Sequence, residues 1–421
     1  MGNPIRFHDL RKLSATEKQA LLKRTESDLG RYIESVEPII KAVKEEGDRA
    51  LVGFAREFDR AELTPDAIKV RSEEFDKAFE SVEDDVIEAI SFAADNIRVF
   101  HEGQLPEPMR MSEVRPGVFC GEKINPIPSV ACYVPRGKGS FPSVALMTTI
   151  PAVVAGVPTI CILTPPGTDG RVDDATLVAA RQAGVEAIYK CGGAQAVAAA
   201  AYGTATIPKF DKIVGPGSPW VVAAKRLLAD EIDPGTPAGP SESIVFADHT
   251  ADGRLAALDL IIESEHGPDS SAFLVTSSME VADRAMKAIP DYWQSLGETR
   301  KKFSATVLCG PHGGIVLARD EDACIRFIND YAPEHLMIHS REPFKYLGAV
   351  KHAGEILLGR DTPFSLGSYV LGPNAVLPTS GAARILSPLG VLVFILSSGM
   401  GYVTSDAYDV LAYVADSVAG C

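Results

Sequence analysis

A chain of 421 residues and 44.9 kDa, 46% hydrophobic and 23% charged, has the make-up of an ordinary soluble globular protein, which excludes wholesale disorder. It exceeds the length at which one hydrophobic core keeps growing, so two or more domains are expected. The net charge of -15 and the pI near 5.1, with no Lys or Arg run that stands out as a patch, give phosphate-backbone binding little electrostatic support, and nucleic acid is discounted as a partner.

In chain order, the start MGNPIRFHDL carries no charged-then-apolar signal pattern, and Gly2 lacks the Ser or Thr that myristoylation needs four residues on. The first hundred residues hold Glu, Lys, Ala and Leu at helical spacing, as in VEPIIKAVKEEGDRALVGFAREFD and SEEFDKAFESVEDDVIEAISFAADNIRVFHEGQ, and predict a helical layer. From about residue 128 strands and helices alternate. SVACYVP, PTICILTPP, EAIYKCGG and FDKIVGPG read as strands, each followed by a helix: PSVALMTTIPAVVAG, DDATLVAARQAG, AQAVAAAAYG and SPWVVAAKRLLAD. That alternation predicts a parallel sheet with crossover helices. After residue 243, SIVFAD leads into a helix over 250–267 with Leu255, Leu258 and Ile262 on one face and a Gly267-Pro268 stop. Further strands are expected at SAFLVT, ATVLCG, EHLMIHS and AGEILLG, making a second α/β unit, and the tail from 390 is short.

The most apolar tract, SVALMTTIPAVVAGVPTICIL, is interrupted by Pro, Gly and Thr, so no membrane attachment is expected. Seven cysteines (120, 132, 161, 191, 309, 324 and 421) form no C-x-x-C pair and read as reduced thiols, which points to the cytoplasm.

Parallel sheets bind ligands outside the carboxyl ends of their strands, and here those ends carry PRGKGSFP, CGGAQA and GPGSPW. The dinucleotide fingerprint G-x-G-x-x-G is absent, because Gly137 and Gly139 are followed by Pro142. Glu263 and His266, three apart at a helix end, have the spacing that lets a carboxylate and an imidazole share a metal; the alternative is a solvated end where a cationic His faces the helix dipole. Glu334-His335, inside the apolar stretch NDYAPEHLMI, puts a carboxylate beside an imidazole, the minimum for moving protons near neutral pH, though the dipeptide alone is also a common surface feature.

Together PAGPSES (237–243), ESEHGPDS (263–270), YAPEHL (331–336) and GPNAVLPTSGAARILSPLG (372–390) resemble the histidinol dehydrogenase family, and YVPRGKGSFPSVALMTTIPAVVAGV, GGAQAVAAAAYGT, DKIVGPG and AAKR follow in that family's order. The resemblance implies successive reduction of two NAD⁺ as a primary alcohol becomes an aldehyde and then a carboxylate. It implies that Tyr133 and Gln195 touch the cofactor, that Ser241 touches the substrate, that His335 is the general base and that Glu334 activates water. It also implies a homodimer.

Departures from the family pattern accompany the matches. The family's catalytic zinc is held by a Gln, by the helix-end His, by an Asp in a GDY-like turn and by a His near the C-terminus from the partner subunit. Here the Gln is Glu263, the His is kept as His266, the Asp is Ser368, and the terminal His finds no counterpart before Cys421. The cofactor-side Asn is Ser218, and the His of the family's GPNHVLPT is Ala375. Glu263 and His266 thus form a weakened or repurposed metal corner, with Ser368 on the substrate side.

The expected fold is α/β with two Rossmann-like parallel-sheet domains, one inserted in the other: an N-terminal helical segment over 1–25, a domain from 26–130 and 241–389 carrying substrate and catalytic residues, a cofactor-side domain over 131–240, and a C-terminal arm over 390–421. The expected function is NAD-dependent oxidation of a small polar alcohol other than histidinol, with or without altered zinc; sulfopropanediol dehydrogenases show that the scaffold serves other alcohols. The alternatives are an authentic L-histidinol dehydrogenase and a non-catalytic ligand-binding or regulatory relic.

Overall fold

The computed structural model describes residues 4–24, 29–136 and 139–420; Gly2, Gly137 and Cys421, singled out above, lie outside them. Its strands are β1 (Phe7–Asp9), β2 (Met109–Arg115), β3 (Val118–Pro126), β4 (Ser129–Tyr133), β5 (Thr159–Thr164), β6 (Ile188–Lys190), β7 (Lys212–Val214), β8 (Glu242–Ala247), β9 (Ser271–Thr276), β10 (Gly313–Leu317), β11 (His335–His339), β12 (Glu355–Leu358) and β13 (Ile395–Val403).

Two parallel sheets form the body. The larger runs β1-β10-β9-β8-β11-β12 and the smaller β6-β5-β4-β7. Every residue of β4, β8, β9, β10 and β11 is buried, as expected for parallel strands covered by helices on both faces, and their sequences run apolar without alternating. Helices Gly253–Ser264, Met279–Trp293 and Glu298–Leu308 cover one face of the larger sheet through Leu260, Ile289 and Leu308; Ala15–Leu21 and Glu321–Tyr331 cover the other. The alternation read from residue 128 onward reproduces the smaller sheet and its four helices.

Four features depart from the sequence reading. The segment 1–25 holds a strand as well as a helix, because β1 pairs with β10 and extends the larger sheet. The helices Gly30–Glu46, Ser72–Ser81 and Asp84–Glu102 pack on the smaller sheet: Val36, Ile40 and Val43 join Ala198 and Val221, and Phe75 and Ile97 join Leu146 and Leu177. The grouping of 26–130 with 241–389 is therefore not how the cores are built. ATVLCG is the end of helix Glu298–Leu308 rather than a strand, since Val307 and Leu308 complete a buried helical stripe and the strand starts three residues after Gly310, at Gly313. A short apolar run does not distinguish the two by periodicity.

The fourth is a separate antiparallel sheet, β13-β3-β2, which joins the expected C-terminal arm to residues 109–126. No residue of β2 is buried, so no apolar pattern marked it. No helix among the described residues is long and apolar enough to cross a membrane.

One turn of the smaller sheet depends on a glycine. Gly215, after β7, has φ +109°, and a Cβ there would sit 2.2 Å from the Tyr133 carbonyl oxygen. Gly215→Ala is expected to cost about 1–3 kcal/mol through backbone strain. Chemical unfolding checks this, and an unchanged midpoint would contradict the tight contact between the ends of β4 and β7.

Candidate active site

In the smaller sheet the chain runs outward from β4 to β5 and β6, then returns to place β7 on the other side of β4. The carboxyl ends of β4 and β7 therefore flank a topological switch point, where such sheets bind ligands. Tyr133 ends β4, and its hydroxyl accepts a hydrogen bond of 3.0 Å from the Gly193 N–H. Gln195 lies in the first turn of helix Gly193–Tyr202, its Oε1 so close to Gly193 that a Cβ there would approach within 2.6 Å. The structure brings Tyr133 and Gln195, both buried, to one glycine turn. Burial keeps the Tyr133 phenol neutral.

Ser218 stands beyond β7 at the cap of helix Pro219–Leu227, exposed. Beneath that turn the buried Lys225 donates 2.9 Å to the Gly215 carbonyl, its pKa lowered by burial to about 8. A cleft of about 480 Å³ opens past β4 and β5, lined by Asp59, Arg136, Ser140 and Asp173. These strand ends, with glycines where a side chain would not fit, suit a dinucleotide.

The second group of residues gathers at the amino ends of the larger sheet's strands. Ser241 immediately precedes β8, Glu334 immediately precedes β11, His335 opens β11 and Glu355 opens β12. In register, His335 lies between Ser243 and Glu355. Helix Glu321–Tyr331 ends in Ala332 with φ 51°, a left-handed residue that turns the chain so that Pro333 and Glu334 enter the strand. Gly354 lets the next strand approach, since a Cβ there would come within 2.6 Å of the Glu334 carbonyl.

Glu334 Oε2 accepts the Glu242 N–H at 2.9 Å, while its Oε1 faces His335 Nε2 at 3.8 Å. The other ring nitrogen, Nδ1, lies 2.9 Å from Glu355 Oε2. Ser241 Oγ donates 3.0 Å to Glu263 Oε2. Glu242 in turn pairs with Arg24 Nε at 2.9 Å and accepts the Ser380 N–H at 2.9 Å. Arg24 stacks over the buried Tyr331 ring, 3.5 Å from its centroid.

Glu242, Glu263, Glu334 and Glu355 are all buried, and Arg24 and His335 are the cationic groups paired with them among the described residues. Anions in excess of cations are costly in a dry site, so the cluster holds protons more tightly than water does. Burial raises the Glu334 pKa to about 8, against the opposing charge of His335. For His335 burial works downward, but the carboxylates of Glu263, Glu334 and Glu355 outweigh it and raise the value to about 10. Glu263 Oε1 and Glu355 Oε1 are buried with no hydrogen-bond partner, as expected where a ligand supplies the missing donor or charge.

The metal corner does not assemble from this chain. Helix Gly253–Ser264 ends before His266, so the one-face geometry expected of Glu263 and His266 is absent: Glu263 is buried, whereas His266 is exposed with Nδ1 3.2 Å from the Glu263 carbonyl oxygen. Ser368 is half-buried in helix Phe364–Tyr369, which packs behind His335 through Phe364.

Among the described residues, the one group of three or more His, Cys, Asp or Glu with converging ligand atoms is Asp248, His249 and Glu321. Asp248 follows the carboxyl end of β8, the opposite edge from Ser241, and Lys345 Nζ already lies 3.4 Å from Glu321 and 3.9 Å from Asp248. Zinc asks for four donors, three from protein in most catalytic sites, and Glu263 with His266 does not meet that.

Glu355, Glu242 and Arg24 were not singled out from the sequence. The signal was a Glu opening an otherwise apolar strand, as in ESIVFA and EILL.

Because Glu334 and His335 hold protons to higher pH when folded than the ordinary 4.5 and 6.5, the native state binds protons that the unfolded chain has lost. Stability therefore falls as pH rises, from about 4.5 to 8 through Glu334 and from about 6.5 to 10 through His335. Glu334→Gln, which fixes the neutral form, is expected to flatten the first part of that fall. Urea midpoints across this range check it, and an equally steep fall in the variant would contradict a proton held on Glu334.

A family model for histidinol dehydrogenase matches residues 22–421. A relative named histidinol dehydrogenase homolog from Colwellia psychrerythraea is 57% identical over 98% of this chain and 92% of its own length. Histidinol dehydrogenase homolog 2 from Mesorhizobium japonicum is 60% identical over 97% and 93%. Histidinol dehydrogenase from Synechocystis sp. is 47% identical over 96% and 93%. The crystal structure of histidinol dehydrogenase from Elizabethkingia anophelis superposes with a TM-score of 0.92 at 33% identity, covering 99% of this chain and 94% of that one. The chain belongs to the histidinol dehydrogenase family.

Proposed function

We propose that this protein is an NAD⁺-dependent dehydrogenase that carries a small polar primary alcohol to the aldehyde and on to the carboxylate, with His335 as base and Glu334 as the group that activates water. The observation that carries this reading is the buried pair of His335 Nε2 and Glu334 Oε1 facing each other at 3.8 Å. That span is too long for a direct hydrogen bond, and short enough for one oxygen of an alcohol or water to bond to both. When bound at the Tyr133, Gln195 and Ser218 strand ends, the oxidised nicotinamide supplies the acceptor for the carbinol hydride.

Once its Nε2 proton has left to solvent, the neutral His335 takes the hydroxyl proton at Nε2 as the alcohol becomes a carbonyl. Glu334 in its ionised form, whose basicity burial raises, takes a proton from water as its oxygen adds to the aldehyde carbon. Ser241, tied to Glu263, is assigned to the substrate, as is Ser368. No step passes through a metal, because the residues present do not close a zinc site.

The altered positions Glu263, Ser368 and Ser218 support an alcohol other than histidinol. So do the names of the relatives: those at 57% and 60% identity are called homologs, while the Synechocystis sp. protein at 47% is called histidinol dehydrogenase.

We read the protein as a cytoplasmic homodimer. Helix Ser405–Ala419 buries none of its residues yet carries Val410, Tyr413, Val414 and Val418 exposed on one side, an apolar face that a second subunit would cover. Val410→Asp together with Tyr413→Glu is expected to convert the dimer to monomer in sedimentation. A wild-type monomer would contradict the dimer.

The deciding assay is NAD⁺ reduction on L-histidinol and on a panel of small polar primary alcohols, with and without chelator. Turnover on a panel alcohol above that on histidinol, lost by at least about 10³-fold in His335→Asn with NAD⁺ affinity kept, is the expected result. Chelator-sensitive turnover best on histidinol would return the chain to the alternative substrate. No turnover on any alcohol would contradict the enzymatic reading.

A further inference from the structure

We propose that Glu355 is a positioning residue: it holds the His335 ring by Nδ1 so that Nε2 is the nitrogen turned to the reacting oxygen. The inference rests on the reading of His335 as base. A histidine acts through one nitrogen only when the other is committed, and a carboxylate on Nδ1 fixes both tautomer and ring plane. Here the commitment is built into the sheet. Glu355 is the parallel-strand neighbour of His335 in register, so the two side chains leave the same face side by side.

Both are buried, and the 2.9 Å contact runs from Nδ1 to Oε2. The opposite nitrogen is aimed at Glu334, 3.8 Å away. The carboxylate itself has little room to turn. Gly367 packs against it so closely that a Cβ there would lie 2.8 Å from Glu355 Oε1. Phe364 meets the imidazole edge-on, with ring centroids 5.8 Å apart. A glutamate that only neutralised charge would not need to be matched in register and walled by a glycine.

The substitution that separates the roles is Glu355→Gln. Its amide matches the carboxylate in shape but has no charge, so it offers Nδ1 either a weaker neutral oxygen acceptor or an N–H₂ donor, and neither holds a strongly deshielded proton on Nδ1. Glu355→Asp keeps the carboxylate and serves as the conservative variant. The full-length protein, labelled with ¹⁵N-histidine, is examined by proton–nitrogen correlation spectroscopy, with His335→Asn identifying the signal. A strongly deshielded proton on Nδ1 is expected in the wild type and, weakened, in Glu355→Asp, and is expected to be lost in Glu355→Gln.

In the alcohol assay, kcat of Glu355→Gln is expected to fall by about 10²–10⁴-fold with the KM for NAD⁺ nearly unchanged, and Glu355→Asp is expected to recover most of it. A deshielded Nδ1 proton that survives in Glu355→Gln, or a kcat within about threefold of wild type, overturns the proposal. The spectroscopic result needs no substrate. A wild type that shows the Nδ1 signal but oxidises no alcohol therefore leaves the positioning contact standing and removes the enzymatic reading on which it rests.

Discussion

The structure turns on one electrostatic constraint: Glu242, Glu334 and Glu355 stand at or beside the first residues of three neighbouring parallel strands, Glu263 comes in from the covering helix, and all four are buried. A dry edge with that many carboxylates persists only if protons and cations are organised around it. The N-terminal segment supplies one cation, Arg24, by entering the larger sheet as β1 and returning over Tyr331 to Glu242. His335 supplies the other, and Glu334 accommodates the remaining excess by keeping its proton. Two non-glycine residues in left-handed conformations, Ala332 and Ser380, flank the cluster, and the Ser380 N–H is spent on Glu242. Backbone strain is thus located where the carboxylates must be held.

The two sheets divide the chemistry by opposite edges. The smaller one offers the carboxyl ends of its strands, where glycine turns and Tyr133 leave room for a dinucleotide. The larger one offers amino ends, where proton-handling groups gather. The segment that follows helix Phe364–Tyr369 links them: Asn374 donates to the Met147 carbonyl under the smaller sheet, and Thr379 bonds back to Pro237 and Gly239 beside Ser241. In the proposed reaction the first edge takes the hydride acceptor and the second the proton acceptor.

The sequence made the smaller sheet legible, because each of its strands runs into Gly or Pro and is followed by a helix-length apolar segment. The Glu-His dipeptide was legible as chemistry only in the company of the neighbouring motifs. What escaped were features that depend on distant pairing. β1 is three residues long and has meaning only beside β10; β2 is exposed and shows no alternation; Val307 and Leu308 fit a strand or a helix equally well. Glu355 escaped because a single carboxylate opening an apolar strand acquires a role only when the register places His335 beside it. Glu263 and His266, read as one face, separate because the helix stops between them, an outcome that spacing alone does not determine.

In the proposed reaction one imidazole and one carboxylate serve two successive oxidations. The most direct test is a single turnover with NAD⁺ in excess over a limiting amount of the alcohol that the protein accepts, counting NADH and identifying the product. The account expects two NADH and a carboxylate from the wild type, and one NADH with aldehyde accumulating from Glu334→Gln. Two NADH from Glu334→Gln at the wild-type rate would contradict the role assigned to Glu334, and no NADH from the wild type would contradict the reaction itself.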